Sequence, residues 1–346
     1  MDIQPAKKVT IDQVAKLCGV SKTTISRYLN NKFENISVET RERIRRVIEE
    51  LDYHPNRSAQ RLKTSRSMLI GCVIGDVSSP FSGLLLRGIT QVCEGSGYQV
   101  LFADSSNDPQ KERNAIDSFL QNQVDGLIVN TSGGNDDFLV SIQKKGIPVA
   151  LADRSLMGSA LLDTVTPTNR QSAFDCVSFL LSCGYTRVAF FSEENRLISP
   201  RLQRCQGYVE AVEKICPPGV EPLVYEFGKS NTEGCRRCVA DFRKRFPNER
   251  IAILSGNGTT TPYVIQGLIS EGLTPGWDYG LCTFDDWSWL HLAQPGITSV
   301  GIKSEEVGAE TARLLMERVS GERTCDAPAV YIEVPTKLFV RGSTVK

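Results

Sequence analysis

The chain has 346 residues, 40% of them hydrophobic, and its 40 lysines and arginines balance 40 aspartates and glutamates. This length exceeds one ordinary domain and predicts two or three compact units. No apolar run approaches the roughly 18 residues of a membrane span, and the N-terminus lacks the apolar core of a signal peptide. The sequence therefore excludes a membrane protein and predicts a cytoplasmic one.

Charge is unevenly distributed along the chain. Residues 1–66 hold 14 basic and 8 acidic side chains, whereas the rest of the chain holds 26 basic and 32 acidic ones. Only the N-terminal segment is therefore suited to a polyanionic partner.

The eleven cysteines are scattered through periodic segments without a secretion signal, which predicts reduced thiols. Cys235 and Cys238 form a lone CxxC, and with only two histidines the chain offers no second ligand pair at zinc spacing. We therefore expect no metal site and no cofactor, and predict that these two cysteines lie three apart on a helix.

Two short amphipathic helices joined at a glycine are predicted between Thr10 and Asn30. Thr10 can cap the first helix and Ser21 the second, and Gly19 interrupts the chain between them. Apolar residues of the first helix recur at the i, i+3, i+4, i+7 spacing of one buried face: Ile11, Val14, Ala15 and Cys18. This pattern is typical of a helix-turn-helix, whose second helix lies in the major groove of DNA. A helical hairpin with a solvated polar face is the alternative.

The polar face of the second helix supplies the predicted DNA contacts. It carries Lys22, Thr23, Ser26, Arg27 and Asn30. Lys22 and Thr23 lie in the first turn, where base edges are read. An arginine one turn further can bind guanine bidentately, which discriminates against other bases by about 1–3 kcal/mol.

A third helix is predicted from Ser37 to Leu51, and Pro55 prevents it from continuing. Asn56 can cap a further short helix in which Ala59 and Leu62 stand three apart. Such a short helix is marginal alone, so we expect it to fold only when DNA or a partner subunit supports it. The predicted divisions are a helix-turn-helix headpiece at 1–54, a hinge helix and linker at 55–67, and a core at 68–346.

From residue 68 the pattern changes to apolar strands that alternate with helices. The strands are nearly continuous apolar runs, as in parallel sheets covered on both faces, and the alternation restarts after Asp163. Two open α/β halves of this kind bind ligands at the carboxyl ends of their strands, in the cleft between them. Polar residues follow several predicted strands: Asp76 to Ser82, Asp104 to Asp108, Asp153, Arg154, Asn257, Asp285 and Asp286.

From Val9 to Arg341 the chain resembles the LacI/GalR family of bacterial transcription regulators. The motifs that carry the resemblance are VTIDQVAKLCGVSKTTISRYLN from Val9, PNRSAQRL from Pro55, VDGLIV from Val124, GY at Gly207, and TFDDW from Thr283 with PGITSV from Pro295. The resemblance implies an N-terminal all-α helix-turn-helix headpiece plus an α/β periplasmic-binding-protein-like core of two doubly wound parallel-sheet subdomains. It also implies that the chain crosses between the subdomains near Pro167, Pro295 and Asp326.

For DNA, the resemblance implies a homodimer that binds double-stranded, pseudo-palindromic operator DNA. Residues that match Lys22, Thr23 and Arg27 read the major groove in the family. The residue that matches Leu62 wedges into the minor groove beside the one that matches Ala59, where an apolar side chain kinks the duplex. A core position for Leu62 is the alternative. The complete predicted DNA-binding set is Thr10, Ser21, Lys22, Thr23, Thr24, Ser26, Arg27, Asn30, Ser37, Tyr53, Asn56, Ala59 and Leu62.

The resemblance also implies an effector site between the core subdomains. In the family a small carbohydrate is clamped there, and acidic, amide and arginine side chains can pair bidentately with its hydroxyl groups. Phe81 is predicted to form an apolar wall. The complete predicted effector-binding set is Asp76, Phe81, Asp153, Arg154, Arg201, Arg204, Asn257 and Asp285.

Two arginines of this set, Arg154 and Arg201, add cations to the predicted cleft. The excess favours an anionic ligand, such as a sugar acid or a sugar phosphate, over a neutral sugar. Among these we expect a hexuronate or an acid of the 2-keto-3-deoxygluconate type. The alternative is that one or more of these arginines pairs with Asp153 or Glu194.

The chain departs from the family at Gly258, which follows Asn257 where an aspartate is common. The helix that begins there loses a favourable charge at its N-terminus. Thr259 or Thr260 is then expected to cap it.

Two other function classes are compatible with parts of the sequence. Asp285 and Asp286 could form a paired-carboxylate enzyme site, but the sequence shows no phosphate-binding glycine loop and no nucleophile with a base. A solute-binding receptor would not need residues 10–64 and would normally carry a secretion signal. We therefore predict a non-enzymatic repressor, in which the effector alters the angle between the subdomains and hence operator affinity. Its dimer surface is expected on the helices at Phe81 to Gly95 and Ser304 to Val319.

Overall fold

The computed structural model describes residues 9–29, 32–53, 66–158, 161–194, 197–228 and 231–345. The chain forms two compact units, Met1–Ser67 and Met68–Lys346. Most of the predicted hinge lies outside the described residues, and so do four members of the predicted DNA-binding set: Asn30, Asn56, Ala59 and Leu62.

Among its described residues the first unit has three helices: α1 Ile11–Cys18, α2 Lys22–Leu29 and α3 Val38–Glu50. The cap predicted for α1 is confirmed, because Thr10 and Gln13 form a reciprocal capping box in which the Thr10 N–H donates to Gln13 Oε1 at 2.9 Å. Gly19 ends α1 in a left-handed conformation with a φ of 62°. The helices enclose a small core of Val14, Ala15, Cys18, Ile25, Ile44 and Tyr53.

Two six-stranded sheets form the frame of the second unit. The strands of the first sheet are β1 Leu69–Ile74, β2 Gln99–Asp104, β3 Gly126–Val129, β4 Val149–Ala152, β5 Asp163–Pro167 and β11 Tyr331–Val334. Those of the second are β6 Arg187–Glu193, β7 Leu223–Phe227, β8 Ile251–Ser255, β9 Gly280–Phe284, β10 Thr298–Gly301 and β12 Lys337–Phe339. Their spatial orders are β11-β5-β4-β3-β1-β2 and β12-β10-β9-β8-β6-β7. Every pairing is parallel except that of β10 with β12.

Helices cover both faces of each sheet. The first sheet and its helices, α4 Pro80–Gly95, α5 Pro109–Gln121, α6 Asp136–Lys144 and α11 Ser304–Ser320, form the N-subdomain. The second sheet and its helices, α7 Asn169–Ser182, α8 Ser199–Ile215, α9 Thr232–Arg245 and α10 Thr261–Ser270, form the C-subdomain. In the N-subdomain, α4 and α11 pack on one face of the sheet, and α5 and α6 pack on the other. In the C-subdomain, α7 and α8 pack on one face, and α9 and α10 pack on the other. The predicted fold class is confirmed.

The chain crosses from one subdomain to the other at three places. The first crossing, between β5 and α7, follows Pro167 as predicted. The second lies at 302–303, between β10 and α11, and the third at 335–336, between β11 and β12. The predictions near Pro295 and Asp326 are therefore wrong, because Pro295 occupies the turn before β10 and Asp326 the loop after α11.

Close helix pairs in both subdomains depend on glycine. A Cβ atom on Gly88 of α4 would overlap the Glu305 carbonyl oxygen, and one on Gly308 of α11 would overlap that of Leu85. In the C-subdomain a Cβ atom on Gly207 of α8 would overlap the Arg170 carbonyl oxygen of α7. Each of these close pairs includes a helix that directly follows a subdomain crossing, α11 in the first and α7 in the second.

A buried ion pair joins β5 to α11. Arg318 Nε donates to Asp163 Oδ2 at 2.5 Å, and both side chains are fully buried. The Val330 N–H donates to Asp163 Oδ1 at 2.8 Å. Burial alone raises the pKa of Asp163, but the hydrogen bonds from Arg318, Val330 and Arg323 outweigh it and hold the pKa below its usual value.

None of the eleven cysteines forms a disulfide, and Cys235 and Cys238 lie on α9 as predicted. The part of the chain that the structure describes contains no cluster of side chains able to hold a metal ion. Nor does any described helix combine the length and apolarity needed to cross a membrane.

Candidate DNA-binding face and effector cavity

The polar face of α2 is presented as the sequence predicts. Lys22, Thr23 and Arg27 are exposed. Ser21 Oγ accepts a hydrogen bond from the Thr24 N–H at 3.1 Å, which fixes the start of the helix. Backbone N–H groups in the first turn of a helix lack intrahelical partners, so this end of α2 can also bind an anion such as phosphate.

Lys22 forms an ion pair with Asp12 of α1. Its Nζ atom lies 2.5 Å from Asp12 Oδ1, and the two side chains are 63% and 60% exposed. An exposed pair of this kind contributes about 0–1 kcal/mol. The pairing therefore leaves Lys22 able to turn towards a phosphate or a base.

The remaining described members of the predicted DNA-binding set have structural positions. Thr10 caps α1, and Ser37 caps α3 by accepting from the Thr40 N–H at 3.2 Å. Thr24 and Ser26 are half-buried. Tyr53 is a correction, because its side chain is only 6% exposed and completes the headpiece core after α3 instead of facing outward.

A cavity of about 90 Å³ lies between the two core subdomains, where the carboxyl ends of their strands meet. All eight predicted effector residues line it: Asp76, Phe81, Asp153, Arg154, Arg201, Arg204, Asn257 and Asp285. The other lining residues are Ser79, Ser82, Asn107, Asn130, Ile198, Pro200 and Thr259. The structure thus brings the predicted set together, although its role in effector binding stays a prediction.

Asp153 follows β4 in a left-handed conformation, with a φ of 68°, that aspartate tolerates better than most residues. Its side chain is buried, and Oδ1 has no hydrogen-bond partner. Asn130 Nδ2 lies 3.4 Å from the other carboxylate oxygen. Burial raises the pKa of Asp153, and the positive charges of Arg154 and Arg204 only partly oppose that rise.

The guanidinium group of Arg154 is held by neutral acceptors. Nη1 donates to Asn107 Oδ1 at 2.7 Å and to the Thr131 carbonyl oxygen at 2.9 Å. Nε is buried without a hydrogen-bond partner, and the nearest carboxylate oxygen, Asp153 Oδ2, lies 3.9 Å from it. Burial lowers the pKa of Arg154 to about 10, so the group still carries its charge at neutral pH.

Arg204 of α8 connects the two walls of the cavity. Its Nε donates to Asn169 Oδ1 at 2.9 Å, its Nη1 donates to the Gly256 carbonyl oxygen at 2.8 Å, and its guanidinium lies 4.2 Å from the centre of the Phe284 ring. Asn169 in turn donates to Thr166 Oγ1 at 3.1 Å, and Thr166 donates to the carbonyl oxygen of Asp153 at 2.7 Å. A chain of hydrogen bonds therefore follows the first subdomain crossing from one wall to the other.

Arg201 is already paired within the C-subdomain. Its Nη2 lies 2.7 Å from Glu193 Oε2, and the two side chains are 15% and 4% exposed. The partner is Glu193 and not Glu194. Because the lining residues comprise three arginines and three aspartates, the cation excess predicted from the sequence is absent from the cavity wall.

On the C-subdomain wall, Asn257 and Asp285 are fixed by backbone groups. Thr260 occupies the N-cap position of α10, one of the two positions expected, but its side chain makes no capping hydrogen bond. Instead, Asn257 Oδ1 accepts from the Thr260 N–H at 2.7 Å. Asp285 Oδ2 accepts from the Gly258 N–H at 2.9 Å. A Cβ atom on Gly258 would lie 2.8 Å from the Trp287 ring, which explains why a side chain is absent at this position.

Asp286 does not join Asp285 in a paired-carboxylate site. Arg341 Nη2 lies 2.8 Å from Asp286 Oδ1, which also accepts from Ser299 Oγ at 2.6 Å. Asp286 is therefore used in the packing of β10 and the segment after β12.

Asp76 and Phe81 contribute the rim of the N-subdomain wall. Asp76 Oδ1 accepts from the N–H and the hydroxyl of Ser78, at 3.0 and 2.5 Å, and Phe81 packs against the N-subdomain core. Two further lining residues had a signal in the sequence: Asn107 belongs to the strand-end segment Asp104 to Asp108 named above, and Asn130, which sequence reasoning missed, directly follows β3. Ile198 and Thr259 had none.

Family comparisons agree with both units. The family described as "Bacterial regulatory proteins, lacI family" matches residues 10–56, and "Periplasmic binding proteins and sugar binding domain of LacI family" matches residues 67–338. The HTH-type transcriptional regulator KdgR of Bacillus subtilis is 36% identical over 96% of this chain and 97% of its own length. The regulator PtxS of Pseudomonas putida is 31% identical over 98% of this chain and 96% of its own length. These relatives are regulators of transcription, which sets the enzyme alternative aside.

Solved structures share the whole fold. The lac repressor dimer bound to operator and the anti-inducer ONPF superposes with a TM-score of 0.82 at 21% identity and covers 98% of this chain and 100% of its own. The transcriptional regulator CelR in complex with cellobiose gives a TM-score of 0.69 at 23% identity and covers 97% of this chain and 100% of its own. With its helix-turn-helix headpiece and its sugar-binding type of core, the chain belongs to the LacI family of bacterial transcription regulators.

Proposed function

We propose that the chain is a cytoplasmic repressor whose affinity for a specific operator depends on a carbohydrate-type effector in the core cavity. One observation carries the proposal: the cavity is walled by both subdomains and contains buried polar atoms without partners, Asp153 Oδ1 and Arg154 Nε. Leaving a buried polar group unpaired costs free energy, so a ligand that supplies partners is favoured.

On the DNA side, exposed groups of α2 supply the sequence readout. Lys22, Thr23 and Arg27 contact base edges in the major groove, and the start of the helix, with Ser21, Thr24 and Ser26, contacts phosphate. Thr10 and Ser37 hold the helices in place. Asn30, Asn56, Ala59 and Leu62 complete the proposed interface, with Leu62 wedged in the minor groove.

On the effector side, we propose a polyhydroxylated ligand, with a sugar acid such as 2-keto-3-deoxygluconate as the specific candidate. Support comes from the mixture of carboxylate, amide and guanidinium groups around one small cavity, because such groups can both donate to and accept from hydroxyl groups. Further support comes from the solved relatives, of which CelR holds cellobiose and a regulator from Enterococcus faecium holds ribose.

The active form is proposed to be a homodimer that binds a pseudo-palindromic operator. The lac repressor structure with operator is a dimer, and α4 and α11 are the helices on which the resemblance puts the dimer surface. Effector binding changes the angle between the core subdomains, and the difference in effector affinity between the two states sets the change in operator affinity.

The DNA part of the proposal is tested by selecting duplexes from a randomised pool with the purified chain and measuring affinity for the selected sequence. We expect the affinity to fall steeply, by roughly a thousandfold or more, between about 50 and 200 mM salt, because phosphate contacts release counterions. Arg27→Ala is expected to lower specific affinity about tenfold or more, whereas Arg46→Ala, an exposed arginine of α3 outside the proposed set, serves as the matched control. Failure to select any sequence would overturn this part.

The effector part is tested by thermal unfolding of the same protein in the presence of sugars, sugar acids and sugar phosphates. A ligand that binds only the folded core stabilises it by about 2.7 kcal/mol at a hundredfold excess over its dissociation constant. Each compound that raises the melting temperature is then added to the operator-binding assay. If no compound that binds the core alters operator affinity, the proposed control by a carbohydrate is wrong.

A further inference from the structure

We infer that Arg154 is the anion subsite of the cavity and binds the carboxylate of an acidic carbohydrate. This inference rests on the proposed function, since it assumes a carbohydrate-type ligand in the cavity. It assigns the selection of acids over neutral sugars to one of the three cavity arginines.

The other two arginines are already engaged. Arg201 is neutralised by Glu193 at 2.7 Å, with both groups buried or nearly so. Arg204 donates from Nε to Asn169 Oδ1 and from Nη1 to the Gly256 carbonyl oxygen, and its guanidinium carbon lies 4.2 Å from the centre of the Phe284 ring. Each of these two charges therefore has a partner close by, ionic for Arg201 and aromatic for Arg204.

Arg154 differs from Arg201 because its hydrogen bonds go to neutral atoms only, and from Arg204 because its Nε is buried without an acceptor and no aromatic ring among the described residues lies against its guanidinium. Asn107 Oδ1 and the Thr131 carbonyl oxygen hold Nη1, whereas no described residue accepts a hydrogen bond from Nε or Nη2. Asp153 Oδ2, at 3.9 Å, is beyond hydrogen-bond distance. A buried cation without an ionic hydrogen bond is costly, and a carboxylate that pairs with it removes that cost.

The Arg154 guanidinium packs against the backbone of Gly75, which directly follows β1. A Cβ atom on Gly75 would lie 2.7 Å from Arg154 Nη1 and 2.8 Å from Nη2. The group can therefore rest against the backbone at the end of β1 only because position 75 has no side chain. This packing fixes the orientation of the Arg154 side chain before a ligand binds, which reduces the side-chain entropy lost on binding.

The residue before Arg154 suggests what accompanies the carboxylate. Asp153 Oδ1 is a buried acceptor without a partner, so it suits a hydroxyl donor. Because the two unsatisfied groups belong to consecutive residues, one ligand that satisfies both carries a hydroxyl group close to its carboxylate. Sugar acids have this arrangement, whereas neutral sugars and simple carboxylic acids lack one of the two groups.

The test compares acids with uncharged counterparts of the same skeleton by titration calorimetry. The pairs are 2-keto-3-deoxygluconate with 3-deoxyfructose, and D-gluconate with D-glucitol. We expect the wild-type chain to bind at least one acid more tightly than its counterpart, and Arg154→Gln to weaken the acid about tenfold or more while changing the counterpart by less than about threefold. Gly75→Ala is expected to act in the same direction with a smaller effect, because it displaces the guanidinium and the neighbouring Asn130 amide without removing the charge.

Matched controls separate this effect from general damage. Arg113→Gln removes an exposed cation of the N-subdomain outside the cavity, and Gly95→Ala adds a methyl group at a position with no neighbouring atom within 4 Å. Both are expected to leave acid binding unchanged, and melting temperatures without ligand check that each variant folds. Equal loss for acid and counterpart in Arg154→Gln overturns the inference, and so does a wild-type chain that binds none of the acids. A neutral sugar that binds more tightly than every acid and alters operator affinity would overturn this subsite while leaving the proposed function intact.

Discussion

The two core subdomains share a backbone frame at the cavity but use it differently. Asp153 follows β4 with a φ of 68°, and Asp285 follows β9 with a φ of 67°. The Asp153 N–H donates to the Val165 carbonyl oxygen at 2.7 Å, and the Asp285 N–H donates to that of Val300 at 2.9 Å. The same turn therefore aims a carboxylate into the cleft from both sides.

The residues that follow these aspartates make the difference. Arg154 stays at the cavity wall with a partly unsatisfied charge, whereas Asp286 turns away to pair with Arg341. Asp285 is also satisfied by the Gly258 N–H, whereas Asp153 keeps one oxygen without a partner. The repeated fold thus fixes the positions of the Asp153 and Asp285 carboxylates. The next residue, Arg154 or Asp286, determines whether that wall of the cavity has a further group with which a ligand can pair.

The largest expected effect concerns the arginine–aspartate pairs that stabilise each subdomain. Arg318→Met in the N-subdomain leaves the buried Asp163 with Arg323 and the Val330 N–H as its remaining partners and is expected to lower the free energy of unfolding by about 3 kcal/mol or more, near the lower end for a broken buried pair. Arg341→Met in the C-subdomain removes a pair whose side chains are 15% and 17% exposed, and we expect a smaller loss, about 1–3 kcal/mol. Urea unfolding of both variants measures the difference, and equal losses would contradict it.

The next effect distinguishes the two aspartates of the cavity. Asp153→Asn and Asp285→Asn both remove a charged acceptor and are expected to weaken a bound carbohydrate roughly 10- to 100-fold. Their effects on stability should differ, because Asn at 153 relieves the burial of an unsatisfied charge, whereas Asn at 285 weakens the hydrogen bond from Gly258. We expect the melting temperature without ligand to rise for Asp153→Asn and to stay or fall for Asp285→Asn. Equal changes would show that the two carboxylates are equivalent, and the opposite order would contradict this assignment.

A smaller effect is expected at Gly258. Ala at this position places a methyl group against the Trp287 ring and is expected to cost about 1–3 kcal/mol of stability. It also shifts the amide that holds Asp285, so effector affinity should fall as well. Gly228→Ala, where the nearest atom to a Cβ lies 3.9 Å away, is the control for adding a methyl group in the same subdomain. Unchanged stability of Gly258→Ala would mean that Trp287 moves freely.

The smallest expected effect is on the pH dependence of stability. Burial raises the pKa of Asp153, so this group contributes a loss of stability as pH rises from the unfolded value of about 3.9 through its folded value. For Asp163, hydrogen bonds outweigh burial and lower the pKa, so its contribution is present above about 3.9 and is lost as pH falls through the folded value. Asp153→Asn should remove the first dependence and Asp163→Asn the second. Unfolding measured between about pH 3 and 7 checks both slopes, and identical slopes in the two variants would be incompatible with this assignment.

Much of the fold follows from local pattern. The cap at Thr10, the left-handed Gly19 and the apolar strands from β1 onward are encoded in neighbouring residues, and the structure contains them where the sequence predicts. The strand-end rule also locates the cavity, because the carboxyl ends of parallel strands converge whatever the side chains are.

What the sequence could not provide depends on contacts between distant residues. No local sequence pattern identifies Glu193 as the partner of Arg201, so the sequence predicts that the Arg201 charge is free to bind a ligand. In the structure Arg201 Nη2 lies 2.7 Å from Glu193 Oε2. The resemblance put the second crossing near Pro295, but the chain first completes β10 in the same sheet and crosses only at 302–303. Tyrosine is a residue type that can contact DNA, but Tyr53 is buried because the three headpiece helices pack around it.

The three crossings have a consequence for how the protein is made on the ribosome. Each sheet receives a strand from the last part of the chain, β11 in one and β12 in the other. Until residues 331–339 have emerged, the edges of β5 and β10 that these two strands later cover are unpaired and can pair with another nascent chain. A premature stop or slow translation just before this segment should therefore send both halves into aggregates together, instead of sparing the one that was synthesised first.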